Sequence, residues 1–274
     1  MESHSSRSRE TRRRSRENST NSSTTTSKNT TRPKRHHRAE NLFLPTTAVA
    51  IIGAAGASRR MGRDKNLLHV AGKTVLEHTV RAFENHPEIQ SYLVLASREK
   101  RTEYETLLSK LKLKKFWKVI IGGEERQDSM RNGLAQISKN TDIVVFHNAA
   151  NPLVTPQEIS EVIKAAKQHG AAAVGVPARD TLRRVDGKGF SQGVVPREGV
   201  WQMQTPQAIK YELAVEAFNH AYASKEPFKA TDDVALVENL HKPVAIVKAH
   251  PHNFKVTIPE DIPIAEAALR ARQK

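Results

Sequence analysis

From residue 46 onward, short apolar runs alternate with segments of helical spacing. Residues 48–52 read Ala-Val-Ala-Ile-Ile and close on Gly53, the pattern of a strand buried on both faces. Similar runs at 92–96, 119–121, 143–146 and 171–176 predict four more strands. Between them, apolar residues recur three and four positions apart. Val75, Leu76, Thr79, Val80 and Phe83 predict a helix over 74–83, and comparable segments predict helices over 99–111, 129–137 and 156–169. Strands alternating with helices build βαβ units. The pattern predicts an α/β, Rossmann-like fold, a mainly parallel twisted sheet with helices on both faces.

The rhythm breaks at Asp180. Residues 181–204 hold short alternating runs with Gly187, Gly189 and Gly193 near a turn, which predicts a protruding β-arm over about 180–204. Helices are expected over 206–223, 232–240 and 259–272. Strand-like segments are expected at 243–249 and 254–257.

Composition changes the picture at the N-terminus. The chain has 274 residues and a net charge of +15, and 7 of those charges sit in residues 1–41. That segment carries 9 Arg, 2 Lys and 4 Glu, with no Leu, Ile, Val, Phe, Tyr or Trp. It cannot bury enough apolar surface to offset its ordering entropy, so residues 1–45 are expected to be a disordered, solubilising basic tail, and residues 46–274 one domain. The clusters at 12–14 and 34–38 are a candidate contact for nucleic acid, but no aromatic residue interleaves them. The 4 Glu argue against an organelle transit peptide, and no apolar stretch suggests a secretory signal or membrane span. The expectation is a cytoplasmic protein without membrane contact. Cysteine is absent, which excludes disulfides, thiolate metal sites and cysteine nucleophiles.

Candidate chemistry lies in the loops. Open α/β sheets bind ligands beyond the carboxyl ends of their strands, where residues 54–65, 122–129, 147–152 and 178–181 fall. Ala54, Ala55, Gly56, Ala57 and Ser58 are all small, which lets backbone N–H groups approach phosphate oxygens. Arg60 and Lys65 then add positive charge. The loop is neither a P-loop nor a Gly-x-Gly-x-x-Gly turn. On its own it reads equally as a tight strand-to-helix turn with a solvated basic face.

Six segments in order narrow the choice: Ala-Ala-Gly-Ala-Ser-Arg-Arg-Met-Gly at 54–62, Gly-Gly-Glu-Glu-Arg-Gln-Asp-Ser at 122–129, Asp180-Thr181, Gln-Thr-Pro-Gln at 204–207, Thr-Asp-Asp at 231–233, and Asn-Phe-Lys-Val-Thr at 253–257. As an ordered set, spanning about residues 48–269, they resemble the 2-C-methyl-D-erythritol 4-phosphate cytidylyltransferases. The resemblance implies transfer of CMP from CTP to a polyol phosphate with release of pyrophosphate, in isoprenoid precursor synthesis. It implies that Arg60 and Lys65 stabilise phosphate charge and that residues 54–58 wrap the triphosphate. Gly123, Glu124 and Ser129 would surround the cytosine, with Asn148 and Ala149 also at the nucleotide. Thr181, Arg197, Thr205, Thr231 and Lys255 would hold the polyol phosphate, Arg197 and Lys255 as catalytic cations. Mg²⁺ is expected with CTP, without assignable ligands, and a homodimer is expected through the β-arm, with Arg197 serving the neighbouring site.

Three departures stand out. The family pattern His-Asp-Ala-Ala-Arg-Pro is here His147-Asn148-Ala149-Ala150-Asn151-Pro152. The Arg60–Lys65 spacing is shorter than usual, and Pro196 replaces an acidic residue before Arg197. These leave two alternatives at this stage: a cytidylyltransferase for another polyol phosphate, such as ribitol 5-phosphate, or a nucleotide-binding pseudoenzyme.

Overall fold

In the computed structural model, which describes residues 46–56 and 58–272, the first apolar run becomes strand β1, Ala48–Gly53. A small ribbon follows, β2 (His69–Val70) and β3 (Lys73–Thr74), then α1 (Val75–Glu84), β4 (Ile89–Ala96) and α2 (Arg101–Ser109). Next come β5 (Phe116–Ile121), α3 (Arg126–Leu134), β6 (Ile143–Asn148), α4 (Pro156–His169) and β7 (Ala171–Pro177). The last third holds β8 (Leu182–Val185), β9 (Ser191–Val195), β10 (Trp201–Lys210), α5 (Tyr211–Ala221), α6 (Ala235–Glu238), β11 (Ala245–Lys248) and α7 (Asp261–Ala271). The expectations for the tail, residues 1–45, and for Ala57 lie outside the described residues.

Seven strands form one sheet in the order β11-β7-β10-β6-β1-β4-β5. β10 runs antiparallel to both neighbours and the other pairs are parallel. Period-two alternation along β1 explains the layers. Ala48, Ala50 and Ile52 pack with Leu76, Val80 and Phe83 of α1 and Ile159 and Val162 of α4. Val49 and Ile51 face the other way, onto Met130 and Leu134 of α3 and Phe218 of α5. Each fully buried Val, Leu, Ile or Phe contributes about 1.5–3 kcal/mol, so the expected α/β sheet covered on both faces follows directly from the pattern.

Four expectations need correction. Residues 206–210 belong to a strand, not to the helix expected over 206–223. Ala208 and Ile209 are both fully buried but face opposite layers, a period-two arrangement that no helix provides. Pro206 sits where the pairing of β10 with β7 shifts register, a position that needs no ladder N–H. The arm is consequently shorter than 180–204: β8 and β9 pair only with each other, and β10 returns the chain to the sheet. Helix α3 starts at Arg126 rather than Ser129 because Asp128 accepts from the Glu125 N–H at 3.1 Å and caps the earlier turn. Residues 254–257 join no strand. The Val256 N–H bonds the Ala150 carbonyl at 2.8 Å, a single tie to the loop after β6.

Candidate active site

The parallel strands β1, β4, β5 and β6 end at one edge of the sheet, and the loops that follow β1, β5 and β6 enclose a cleft of about 230 Å³. Ala54, Ala55 and Gly56 form one wall, Gly123, Glu124, Arg126 and Ser129 another, and Asn148 and Ala150 the floor. Lys65 and Lys255 close it from the side. Antiparallel β10 brings Thr205 to the same edge, where its Oγ1 accepts from the Asn148 N–H at 3.2 Å.

Not every expected residue reaches the cleft. The Ala54 N–H donates to the Leu95 carbonyl at 2.8 Å, so it cannot serve a phosphate, whereas Ala55 and Gly56 have no backbone partner for theirs among the described residues. Ser58 has a left-handed φ of 51° and lines the opposite side of the loop, its Oγ accepting from the Lys65 N–H at 3.4 Å. Ala149 is fully buried behind the floor, its N–H on the Gly53 carbonyl; Ala150 lines the cleft instead. Thr231 is exposed and outside the lining. Thr181 and Arg197 lie on the exposed arm, where Arg197 Nη1 donates to the Arg179 carbonyl at 2.6 Å.

The glycine pair after β5 is required by close approach. A Cβ on Gly122 would lie 2.6 Å from Ser129 Oγ and 2.8 Å from Ala55 Cβ. That contact lets two walls of the cleft touch. Ser129 Oγ then accepts from the Gly123 N–H at 2.9 Å, so Ser129 braces the loop from inside α3 and is not its cap.

Arg126 is the residue that the sequence reading quoted without assigning. Its Nη1 bonds Asp233 Oδ1 at 3.0 Å, its Nη2 bonds the other carboxylate oxygen, and its Nε approaches Asn148 Oδ1 at 3.4 Å. Burial works against the guanidinium charge, but Asp233 outweighs it and holds the Arg126 pKa above the ordinary arginine value. Gln207 explains how Asp233 gets there: its Oε1 accepts from the Asp233 N–H at 2.8 Å and its Nε2 donates to Asp232 at 2.8 Å. The two asparagine departures are also in contact, Asn148 Nδ2 donating to Asn151 Oδ1 at 3.3 Å.

Arg60, Lys65, Lys255 and Arg126 form a cationic cluster. Arg60 lines a groove that shares Lys255 with the cleft. Burial, then repulsion from Lys255 and Arg60, lowers the Lys65 pKa to about 8. Burial, then Arg126 and Arg60, lowers that of Lys255. Lys65 Nζ donates to the Val256 carbonyl at 3.0 Å, which ties it to the Lys255 segment. Its register is set by a buried network: Tyr104 Oη donates to Asp64 at 2.8 Å and accepts from Asn66 Nδ2 at 2.9 Å, on either side of Lys65. A site crowded with cations strongly favours a polyanion.

The same donor set does not build a resident metal site. Among the described residues no group of three or more His, Asp or Glu side chains could hold an ion. Asn148 Oδ1 offers a neutral oxygen already facing Arg126. No helix among them is long and apolar enough to cross a membrane.

Comparison with known proteins agrees with this geometry. The sequence profile described as 2-C-methyl-D-erythritol 4-phosphate cytidylyltransferase matches residues 48–271. The protein of that name from Caldanaerobacter subterraneus subsp. tengcongensis is 43% identical over 225 residues, 81% of this chain and 98% of the relative. That from Pelotomaculum thermopropionicum is 40% identical over 227 residues, 82% of this chain and 94% of the relative. The crystal structure of the Thermus thermophilus protein of the same name superposes with a TM-score of 0.65 at 30% identity, covering 80% of this chain and 98% of that one.

Proposed function

The chain belongs to the 2-C-methyl-D-erythritol 4-phosphate cytidylyltransferase family, and we propose that three of its clustered cations, Arg60, Lys65 and Lys255, divide the work of that reaction. The protein transfers CMP from CTP to 2-C-methyl-D-erythritol 4-phosphate, giving CDP-methylerythritol and pyrophosphate for isoprenoid precursor synthesis. It is a nucleotidyltransferase, and no other polyol phosphate is needed to account for its sequence.

An oxygen of the acceptor phosphate attacks the α-phosphorus of CTP in line. The bond from that phosphorus to the oxygen bridging to the β-phosphorus breaks, and pyrophosphate leaves with the electron pair. No covalent enzyme intermediate and no proton transfer are required, so positioning and positive charge carry the rate. Arg60 and Lys65 serve the triphosphate, with the free N–H groups of Ala55 and Gly56. Lys255 serves the acceptor phosphate, the shared groove with Arg60 bringing the two anions together. Gly123, Glu124 and the braced Ser129 form the cytosine wall. The observation that carries this division is geometric: Lys65 lines the cleft beside Ala55 and Gly56, while Lys255 lines both the cleft and the adjoining groove that holds Arg60.

Mg²⁺ accompanying CTP would supply further positive charge at the phosphates, and with no protein cage among the described residues it would depend on the nucleotide itself for its ligands. The arm serves a second copy of the chain. Phe190 is 67% exposed and Val185 and Val194 more than half exposed, apolar surface that no packing among the described residues covers. Arg197 and Thr181 ride on the same arm and would complete the partner's cleft.

The test measures pyrophosphate release with CTP and a panel of polyol phosphates. Methylerythritol phosphate should be preferred, and Lys255→Ala should raise its KM at least tenfold with the KM for CTP little changed. Equal losses for both substrates would remove Lys255 from the acceptor side.

A further inference from the structure

Glu158 is a buried carboxylate that the transfer itself does not use. It sits in the first turn of α4 and is only 3% exposed. One oxygen, Oε2, completes the helix cap, accepting from the Thr155 N–H and hydroxyl at 2.8 Å each. A cap needs only that oxygen. The other, Oε1, points away from its own helix and accepts from the His250 N–H at 2.8 Å and from Asn253 Nδ2 at 3.0 Å.

Asn253 is fully buried, two residues before Lys255. Its second amide hydrogen goes to the Thr205 carbonyl at 3.0 Å. Thr205 in turn bonds Asn148 through its hydroxyl, and Asn148 meets Arg126. A continuous chain of hydrogen bonds, buried at Asn253 and partly buried at its two ends, therefore runs from the α4 cap, through Asn253, to both sides of the cleft. The segment it holds, residues 250–257, has no strand to fix it. Within that segment the tie to Glu158 stands in for sheet pairing.

We propose that Glu158 and Asn253 are positioning residues that set the place of Lys255 over the acceptor phosphate. The inference rests on the acceptor role of Lys255 given above. Glu158 is suited to the task because all four of its partners are donors, and only an ionised carboxylate accepts from all four. A glutamine would turn an N–H₂ group toward N–H donors on one side or the other. Asn253 is suited because one amide nitrogen can bridge two acceptors, Glu158 Oε1 and the Thr205 carbonyl, which a leucine of equal size cannot. A role in stability alone would stop at the cap. The half of Glu158 that faces residues 250–257 adds nothing to α4.

The experiment compares Michaelis constants and melting temperatures for Glu158→Gln, Asn253→Leu, Thr155→Ala and Lys255→Ala. Thr155→Ala removes the capping hydroxyl and should lower the melting temperature by a few degrees with both Michaelis constants within twofold of the parent. Asn253→Leu and Glu158→Gln should raise the KM for methylerythritol phosphate at least fivefold, with the KM for CTP within twofold. Asn253→Leu keeps the cap intact, so it remains informative if Glu158→Gln fails to fold. If Lys255→Ala raises the acceptor KM while Asn253→Leu leaves it at the parent value, the positioning role is wrong and the acceptor role of Lys255 stands. If Lys255→Ala leaves the acceptor KM unchanged, the acceptor role fails and this inference fails with it.

Discussion

Filling the cleft with CTP should make the protein take up a proton at alkaline pH. Lys65 in the empty cleft has a pKa near 8, because burial and the charges of Lys255 and Arg60 all disfavour its ammonium form. A triphosphate reverses the balance, since its negative charge compensates the neighbours and stabilises the same ammonium. If the bound value returns to the ordinary lysine range near 10.5, about 0.9 proton per site is taken up at pH 9, and under about 0.1 at pH 6.5. Lys255 shifts in the same direction and can only add to the uptake. The assay is calorimetric titration of CTP in two buffers of different ionisation enthalpy, at both pH values. The kinetic counterpart is kcat/KM for CTP falling about tenfold per pH unit above 8, since that ratio reports the free enzyme. Lys65→Arg, which stays charged, should abolish most of the uptake. Buffer-independent heats at pH 9 in the parent protein would refute the reasoning. The same shift acts on stability. Between pH 8 and 10.5 the unfolded chain holds a proton that folded Lys65 has shed, so this group makes the empty protein more stable as pH rises through that window.

Three further outcomes follow from contacts in and beside the cleft. Asn148→Asp places a carboxylate opposite Arg126 and should lower the Mg²⁺ concentration for half-maximal turnover; a fall in activity at every Mg²⁺ concentration would mean that the added charge repels the triphosphate. Asp233→Asn weakens a pair whose acidic member is buried and should cost about 2 kcal/mol in urea unfolding, with saturating CTP unable to restore all of it; unchanged stability would show that Arg126 finds another partner. Gly122→Ala drives a methyl group into Ser129 and Ala55 and should cost about 1–3 kcal/mol while raising the KM for CTP, as thermal unfolding and steady-state kinetics would report.

The layers of the fold were legible because each depends on local pattern. Helix α4 matches its expected bounds at both ends: Thr155, Pro156 and Glu158 mark its start, and Gly170, with φ 96°, follows its last residue. Strand β10 was illegible for the opposite reason. Pro206 and the helix-compatible run after it suggest a helix start, and only pairing with strands some 35 and 60 residues away in sequence makes the segment extended. The cleft shows the same division. Arg60, Lys65 and Lys255 stand out as cations in or near small-residue loops, and ordered motifs placed them together. Arg126 carries no local sign of its role, because its partner Asp233 lies 107 positions away and is held there by Gln207. The Ala54 and Ala149 N–H groups could not be discounted from sequence either. Their engagement with the Leu95 and Gly53 carbonyls is a consequence of where the neighbouring strands end.

The central claim is that an oxygen of the acceptor phosphate becomes the bridge to the α-phosphorus while cations of the cleft carry the charge. Phosphorus NMR of the reaction run with methylerythritol phosphate labelled with ¹⁸O in its phosphate group tests this directly. The account predicts one equivalent each of pyrophosphate and CDP-methylerythritol, with the label in the oxygen bridging the two phosphorus atoms, and a rate at least about 10²-fold lower for Lys65→Ala. Unlabelled CMP as the only nucleotide product, or a Lys65→Ala protein that forms the labelled bridge at the parent rate, would contradict it.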